Sequence, residues 1–137
     1  MHKKILLIDD DEDEQFFFTE ALKEINAPVK FFFAASGKEG MQLLEFLKPD
    51  VVFIDINMPQ LNGLECLEMI MRTKEIKKAD TIIYSTGVND SICYSAIKKG
   101  ATACIKKQST IHDLAAILKN LLLNYHLQDQ LKSFTKL

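Results

Sequence analysis

The middle of the chain contains Val51-Val52-Phe53-Ile54-Asp55, four apolar residues followed directly by an acid. Short apolar runs without polar interruption are typical of strands that are covered on both faces, as in a parallel sheet. Four more runs share this character, at residues 5–8, 29–34, 81–84 and 103–105. The chain therefore contains five candidate strands.

Segments with helical spacing separate these runs. Met41, Leu44 and Leu47, for example, repeat at i, i+3 and i+6, and similar patterns occur within residues 17–25, 64–71, 92–97 and 111–122. Strict alternation of strands and helices indicates an α/β domain with a parallel sheet and right-handed crossovers. Five units are too few for an eight-fold barrel, so the sequence predicts a doubly wound open sheet.

The length and composition are those of an ordinary globular protein. With 137 residues, 47% apolar and 26% charged, the chain has room for one domain. We expect this domain to span residues 1–123, with residues 124–137 as a C-terminal tail or an extension of the last helix. A net charge of −2 argues against a nucleic-acid partner. The absence of a long apolar run or a signal-peptide pattern argues against membrane insertion, so we expect a cytoplasmic protein.

The cysteines suggest no covalent framework. Cys66, Cys93 and Cys104 are odd in number, widely spaced and without a C-x-x-C pair. This pattern favours neither a set of disulfides nor a zinc site. We expect all three to be small buried hydrophobic residues in a thiol-reducing compartment.

Polar side chains follow four of the five candidate strands: Asp9 and Asp10, Asp55, Ser85 and Thr86, and Lys106 and Lys107. Sites in open parallel sheets form beyond the carboxyl ends of the strands. Clustered carboxylates favour a bound cation, and Mg²⁺ prefers one or two carboxylates together with a phosphate. Lysine complements phosphoryl oxygens, and an aspartate can itself be the nucleophile. The set predicts Mg²⁺-dependent phosphoryl transfer onto an aspartate.

Four motifs, in this order, resemble those of the receiver domain of two-component response regulators. They are an acidic pair after residues 4–8, the run 51–59 with Gly63 beyond it, the pair Ser85-Thr86, and Gly100-Ala101 followed by a lysine. The resemblance covers about residues 3–123. It implies a flavodoxin-like fold with strand order 2-1-3-4-5 and five helices, and a single-domain receiver without an output domain.

The resemblance also implies a role for each acidic residue. Asp55 matches the phosphoacceptor, which takes its phosphate from a histidine kinase or a histidine phosphotransfer protein. Mg²⁺, or Mn²⁺, is implied to bind Asp10 and Asp55 directly, Asp9 through water and the backbone carbonyl of Asn57. We expect the next acids along the chain, including Asp11, Asp13 and Glu14, to form a solvated helix start.

The switch residues come from the last two strands. Ser85 matches the hydroxyl residue that moves toward the phosphoryl group, and Thr86 beside it joins the phosphate-binding set. Lys106 and Lys107 both fit the family lysine, and a spacing of seven residues from Gly100 favours Lys107. The implied output is a shape change in the face of the fourth helix, fifth strand and fifth helix, which binds a protein target or a second copy of the chain.

Three positions depart from the family pattern. Gln108 stands where proline usually follows the lysine, and because a non-proline cis bond costs about 2.5–4 kcal/mol, we expect a trans bond and a different loop. Cys104 replaces the aromatic residue that reports activation in the family. Gly87, two residues past Ser85, has no side chain with which to tune the lifetime of the acyl phosphate.

Two other functions stay open. A receiver-like module could bind its partner without phosphorylation, although the intact set of Asp10, Asp55 and Lys107 argues against this. An aspartate-nucleophile phosphatase also uses an aspartate after an apolar strand, but Asn57 occupies the position of its second aspartate and the chain lacks room for a cap. We expect no turnover of an external substrate.

Overall fold

The computed structural model describes residues 3–73 and 79–123 as ten alternating strands and helices. They are β1 (Lys3–Ile8), α1 (Glu12–Glu24), β2 (Val29–Ala34), α2 (Gly37–Leu47), β3 (Val51–Ile54), α3 (Gly63–Arg72), β4 (Asp80–Ser85), α4 (Asp90–Lys98), β5 (Ala103–Lys106) and α5 (Ile111–Leu123). The predicted alternation is confirmed. The predicted tail, 124–137, lies outside the described residues.

The strands form one parallel sheet in the order β2-β1-β3-β4-β5, as predicted. In the centre of the sheet, Leu7 of β1 lies in register with Phe33 of β2 on one side and Phe53 of β3 on the other. The strand order therefore reverses at β1. Crevices at such a reversal are where open α/β sheets bind ligands, and the predicted acidic residues follow these strands.

Each face of the sheet has its own core, which explains why the strands are continuously apolar. Ile5 and Leu7 of β1 face a cluster with residues from α1 and α5, whereas Leu6 and Ile8 face a cluster from α2, α3 and α4. Successive strand residues point to opposite faces, so a strand covered on both sides needs apolar residues throughout. Among the described residues, no helix is long and apolar enough to cross a bilayer.

The expectation that all three cysteines are unpaired is wrong for two of them. Cys93 of α4 and Cys104 of β5 form a disulfide, with their Cα atoms 5.5 Å apart. Cys66 of α3 is buried and free, as expected. Spacing rules do not reveal the pair, because the two cysteines meet only when α4 packs back onto the strand that follows it.

Candidate functional site

Three of the predicted acidic residues meet beyond the carboxyl ends of β1 and β3. Carboxylate oxygens of Asp9, Asp10 and Asp55 all lie within 4.8 Å of one another. Asp9 and Asp55 are buried, while Asp10 is exposed. The backbone N–H of Asp55 donates to the carbonyl oxygen of Ile8 at 2.9 Å, which extends the β1–β3 pairing by one residue. The sheet itself therefore holds the two buried acids side by side.

Asp9 is bonded through both of its carboxylate oxygens. Oδ1 accepts the backbone N–H of Asp11 at 2.9 Å, and Oδ2 lies 2.8 Å from Nζ of Lys107. Burial raises the pKa of Asp9 to about 6, although the hydrogen bond with Lys107 opposes this rise. Asp9 is thus a buried acid whose ionised form depends on a nearby positive charge.

Asp55 sits between two groups that favour its ionised form. Burial raises its pKa, while the Ser85 hydroxyl and the Lys107 ammonium oppose the rise. Nζ of Lys107 is 3.9 Å from Oδ1 of Asp55. The Ser85 hydroxyl is fully buried and close enough to Asp55 to lower its pKa, but it makes no hydrogen bond of full geometry with the part of the chain that the structure describes. The Ser85 hydroxyl therefore lies beside Asp55 at the end of β4.

The structure distinguishes the two candidate lysines by position. The Lys107 side chain is 9% exposed and points into the acidic cluster, whereas Lys106 ends β5 as an exposed residue. Burial acts to lower the pKa of Lys107, but the hydrogen bond to Asp9 and the nearby carboxylates outweigh it, so the pKa is raised. Of the two candidate lysines, Lys107 is therefore the one that contacts the acidic cluster.

Thr86 and Asn57 lie in the loops that follow β4 and β3. Thr86 follows β4 in a turn and is exposed, and Asn57 is exposed in the loop after Asp55. That loop closes on Gly63, whose N–H donates to the carbonyl oxygen of Ile56 at 3.0 Å. A Cβ atom on Gly63 would overlap the carbonyl oxygen of Asp55. Glycine is therefore needed at position 63 to let α3 begin so close to Asp55.

Glu14 corrects the prediction of a wholly solvated helix start. Its side chain is buried, with 5% of the residue exposed, and its Oε2 has no hydrogen-bond partner among the described residues. Burial raises its pKa to about 7, and the charge of Lys107 opposes that rise. Glu14 lies four residues before Phe18, on the buried face of α1. The i, i+4 spacing from Phe18 indicates that Glu14 faces the core. The neighbouring acids in the sequence favoured the opposite interpretation, a solvated helix start.

The peptide bond after Lys107 agrees with the prediction made from the absence of proline at position 108. No peptide bond is cis in residues 3–73 and 79–123, so the bond between Lys107 and Gln108 is trans. The Gln108 N–H donates to the hydroxyl oxygen of Tyr84 at 2.9 Å. Sequence reasoning gave Tyr84 no role, because its ring belongs to an apolar strand and its partner depends on the loop geometry.

Comparisons with known proteins agree with this architecture. A family model described as the response regulator receiver domain matches residues 5–119. The chemotaxis protein CheY of Thermotoga maritima is 32% identical over 110 residues, which cover 78% of this chain and 87% of CheY. The crystal structure of the phosphorylated cyanobacterial phytochrome response regulator RcpA has the same fold, with a TM-score of 0.81 at 24% identity, covering 90% of this chain and 96% of that one.

A longer relative matches over part of its length. The nitrate/nitrite response regulator protein NarL of Escherichia coli strain K12 is 33% identical over 85 residues, which are 62% of this chain and 38% of NarL. The chain thus covers little more than a third of that protein. Since the family model spans most of the domain and the fold agrees in strand order, the chain belongs to the response regulator receiver domains of two-component signalling.

Proposed function

We propose that this chain is the phosphoacceptor module of a two-component phosphorelay and that Asp55 receives the phosphate. The placement of Asp55 carries the proposal. Its carboxylate lies within 4.8 Å of those of Asp9 and Asp10, and the Lys107 ammonium lies 3.9 Å from its Oδ1. Phosphoryl transfer requires an in-line nucleophile and positive charge at the transferred oxygens, and this arrangement supplies the nucleophile and the lysine.

The proposed donor is a phosphohistidine on a histidine kinase or a histidine phosphotransfer protein. An oxygen of Asp55 attacks phosphorus, a P–O bond forms as the P–N bond breaks, and the histidine ring nitrogen keeps the electron pair. Lys107 stabilises the charge that builds on the phosphoryl oxygens. The hydroxyls of Ser85 and Thr86 donate hydrogen bonds to those oxygens once the group is on Asp55.

The donor set fits Mg²⁺ or Mn²⁺. Two of the three carboxylates are buried with raised pKa values, and a divalent cation beside them would favour their ionised forms. Asp10 and Asp55 would bind the ion directly, Asp9 through water, and Asn57 through its backbone carbonyl. Bound Mg²⁺ neutralises the clustered charge and polarises the phosphoryl group.

The proposed output is a protein contact. The Lys107 backbone N–H donates to the carbonyl oxygen of Ser85 at 3.1 Å, so the end of β4 is linked directly to the residue that follows β5. We propose that the face of α4, β5 and α5 on the domain of residues 1–123 carries this change, in the cytoplasm, to a protein target or a second copy. Phosphate on Asp55 is stoichiometric, so no external substrate turns over.

Intact mass after incubation with acetyl phosphate tests the proposal. The wild type should gain one phosphoryl group in the presence of Mg²⁺ and none in the presence of a chelator. Asp55→Asn should gain none while keeping its circular dichroism spectrum. Asp113→Asn, which changes an exposed acid on α5, is the matched control and should gain the group like the wild type.

Two results would overturn the proposal. Asp55→Asn could take up phosphate at the wild-type level, which would remove Asp55 as the acceptor. The wild type could also fail to accept phosphate from both acetyl phosphate and a phosphorylated histidine phosphotransfer protein, which would favour a binding module that works without phosphorylation. Steady hydrolysis of p-nitrophenyl phosphate would instead favour the alternative function, an aspartate-nucleophile phosphatase.

A further inference from the structure

The backbone that carries Lys107 is held by two consecutive hydrogen bonds to consecutive residues of β4. The Lys107 N–H donates to the carbonyl oxygen of Ser85 at 3.1 Å, and the Gln108 N–H donates to the hydroxyl oxygen of Tyr84 at 2.9 Å. The Gln108 side chain also donates from Nε2 to the carbonyl oxygen of Lys106 at 2.9 Å. The peptide after Lys107 is therefore anchored through a side chain of the core.

Tyr84 is a rigid support for that anchor. The residue is 1% exposed. Its ring packs edge-on against Phe18 of α1, with centroids 5.5 Å apart, and against Phe53 of β3 at 6.2 Å. Aromatic contacts of this geometry fix a ring from two directions. The hydroxyl position is thus set by α1 and β3 as well as by the strand to which Tyr84 belongs.

We propose that Tyr84 is a positioning residue for Lys107, acting through the amide of Gln108. The inference rests on the proposed function, in which Lys107 binds the phosphoryl group. Lys107 must reach both Asp9 at 2.8 Å and Asp55 at 3.9 Å. A long, flexible lysine side chain can serve both only if its backbone is held in place, because misplacement by about 1 Å can cost a hundredfold in rate.

The backbone N–H of Gln108 needs a hydrogen-bond acceptor, and the Tyr84 hydroxyl supplies one. Proline has no N–H, whereas Gln108 brings an amide donor to a partly buried position. A buried donor needs an acceptor. Burial raises the pKa of the Tyr84 hydroxyl, with the charges of Glu14 and Asp9 raising it further. The hydroxyl therefore stays neutral and keeps its place in the core.

Tyr84→Phe tests the proposal, because it removes the hydroxyl and keeps the ring. The rate of Asp55 phosphorylation by acetyl phosphate at saturating Mg²⁺ should fall by about tenfold, within the range that small misplacements produce. Tyr94→Phe is the matched control, since Tyr94 lies on α4 and is 62% exposed. Its rate should equal that of the wild type. Both variants should remain fully folded at the assay temperature, although Tyr84→Phe should melt slightly lower because the Gln108 N–H loses its acceptor.

A double-mutant cycle separates positioning from a general loss of packing. In a Lys107→Met background, Tyr84→Phe should cause no further fall in the phosphorylation rate, because its effect passes through Lys107. Rate losses that multiply in the double variant would overturn the proposal. An unchanged rate in Tyr84→Phe alone would overturn it as well.

Two NMR measurements test the inference even if the chain accepts no phosphate. In the wild type, the Gln108 amide should be protected from hydrogen exchange to a degree similar to the Lys107 amide. The Lys107 ammonium signal, assigned by its loss in Lys107→Met, should exchange faster with water in Tyr84→Phe and not in Tyr94→Phe. An unprotected Gln108 amide, or an ammonium signal that Tyr84→Phe leaves unchanged, would show that Tyr84 does not position Lys107.

Discussion

Lys107 and Asp9 form a buried ion pair, with 2.8 Å between Nζ and Oδ2. The same ammonium is 3.9 Å from Oδ1 of Asp55. The lysine is therefore paired with one of the proposed metal-binding acids and lies near the proposed acceptor. A cation bound by these carboxylates, or a phosphoryl group on Asp55, would interact with Asp9 and Asp55, the two residues that contact Lys107. We therefore expect binding at the site and the position of Lys107 to be coupled.

This coupling predicts different metal affinities for two acidic variants. Asp10→Asn removes an exposed, proposed direct ligand and should weaken Mg²⁺ binding by about tenfold or more, equivalent to about 1.4 kcal/mol per factor of ten. Asp9→Asn should weaken Mg²⁺ binding less, because Asp9 is proposed to bind the ion through water and already forms an ion pair with Lys107. Isothermal titration calorimetry measures both affinities. Equal losses in the two variants would contradict the assignment.

Glu14 predicts a pH dependence of stability. Its pKa in the folded protein is about 7, against an ordinary value of 4.5. Because the folded state holds this proton more tightly than the unfolded state, the contribution is fully present below pH 4.5 and is lost as the pH rises to 7. Glu14→Gln should flatten this loss and raise the free energy of unfolding at pH 7.5 by about 1–3 kcal/mol.

Urea unfolding at several values between pH 4 and pH 8 measures this effect. Glu12→Gln, which changes an exposed acid two residues earlier on α1, is the control and should leave the pH profile as it is in the wild type. If Glu14→Gln also left the profile unchanged, the carboxyl group would not be buried in solution.

The disulfide predicts a specific labelling pattern. Because Cys93 is bonded to Cys104, only Cys66 should react with iodoacetamide when the protein is unfolded without a reductant. All three cysteines should react after reduction. Peptide mass mapping identifies the labelled residues, and Cys104→Ser should add Cys93 to the set that reacts without reductant. Labelling of all three in the non-reduced wild type would refute the pairing.

Two glycines near the site should respond very differently to alanine. A Cβ on Gly63 would overlap the backbone of Asp55 and lie 2.8 Å from the Cα of Ile56. Within the described residues, a Cβ on Gly87 would meet only the side-chain amide nitrogen of Asn57, at 3.0 Å. Backbone cannot yield as a flexible side chain can. Gly63→Ala should therefore cost about 1–3 kcal/mol in the free energy of unfolding.

Gly87→Ala should cost less than about 0.5 kcal/mol, the usual size of a surface substitution. Urea denaturation of the two variants at one pH gives both values. Gly63→Ala should also slow the phosphorylation of Asp55, since the overlap falls on the backbone of the proposed acceptor. A Gly63→Ala variant as stable as Gly87→Ala would mean that the loop after β3 relaxes without cost.

The fold was readable from the order of residues because its causes are local. The run 51–54 is apolar at every position because both faces of β3 are covered. Asp55 follows directly, where the strand leaves the core and a polar side chain can find polar partners. Alternating strands and helices allow few topologies. The family motifs then narrowed these to the strand order 2-1-3-4-5, which the sheet shows.

Several features depended on contacts between distant parts of the chain. In the sequence, Glu14 is one of several neighbouring acids. Its burial follows from the packing of α1 against the sheet. Lys106 is exposed at the end of β5, whereas the next residue, Lys107, contacts the acidic cluster. The hydrogen bond from Gln108 to Tyr84 joins residues 24 positions apart. A linear pattern records the character of each residue and its near neighbours. Distances between side chains on different elements arise only when those elements pack, and for that reason the partners of Glu14, Lys107 and Tyr84 came from the tertiary structure.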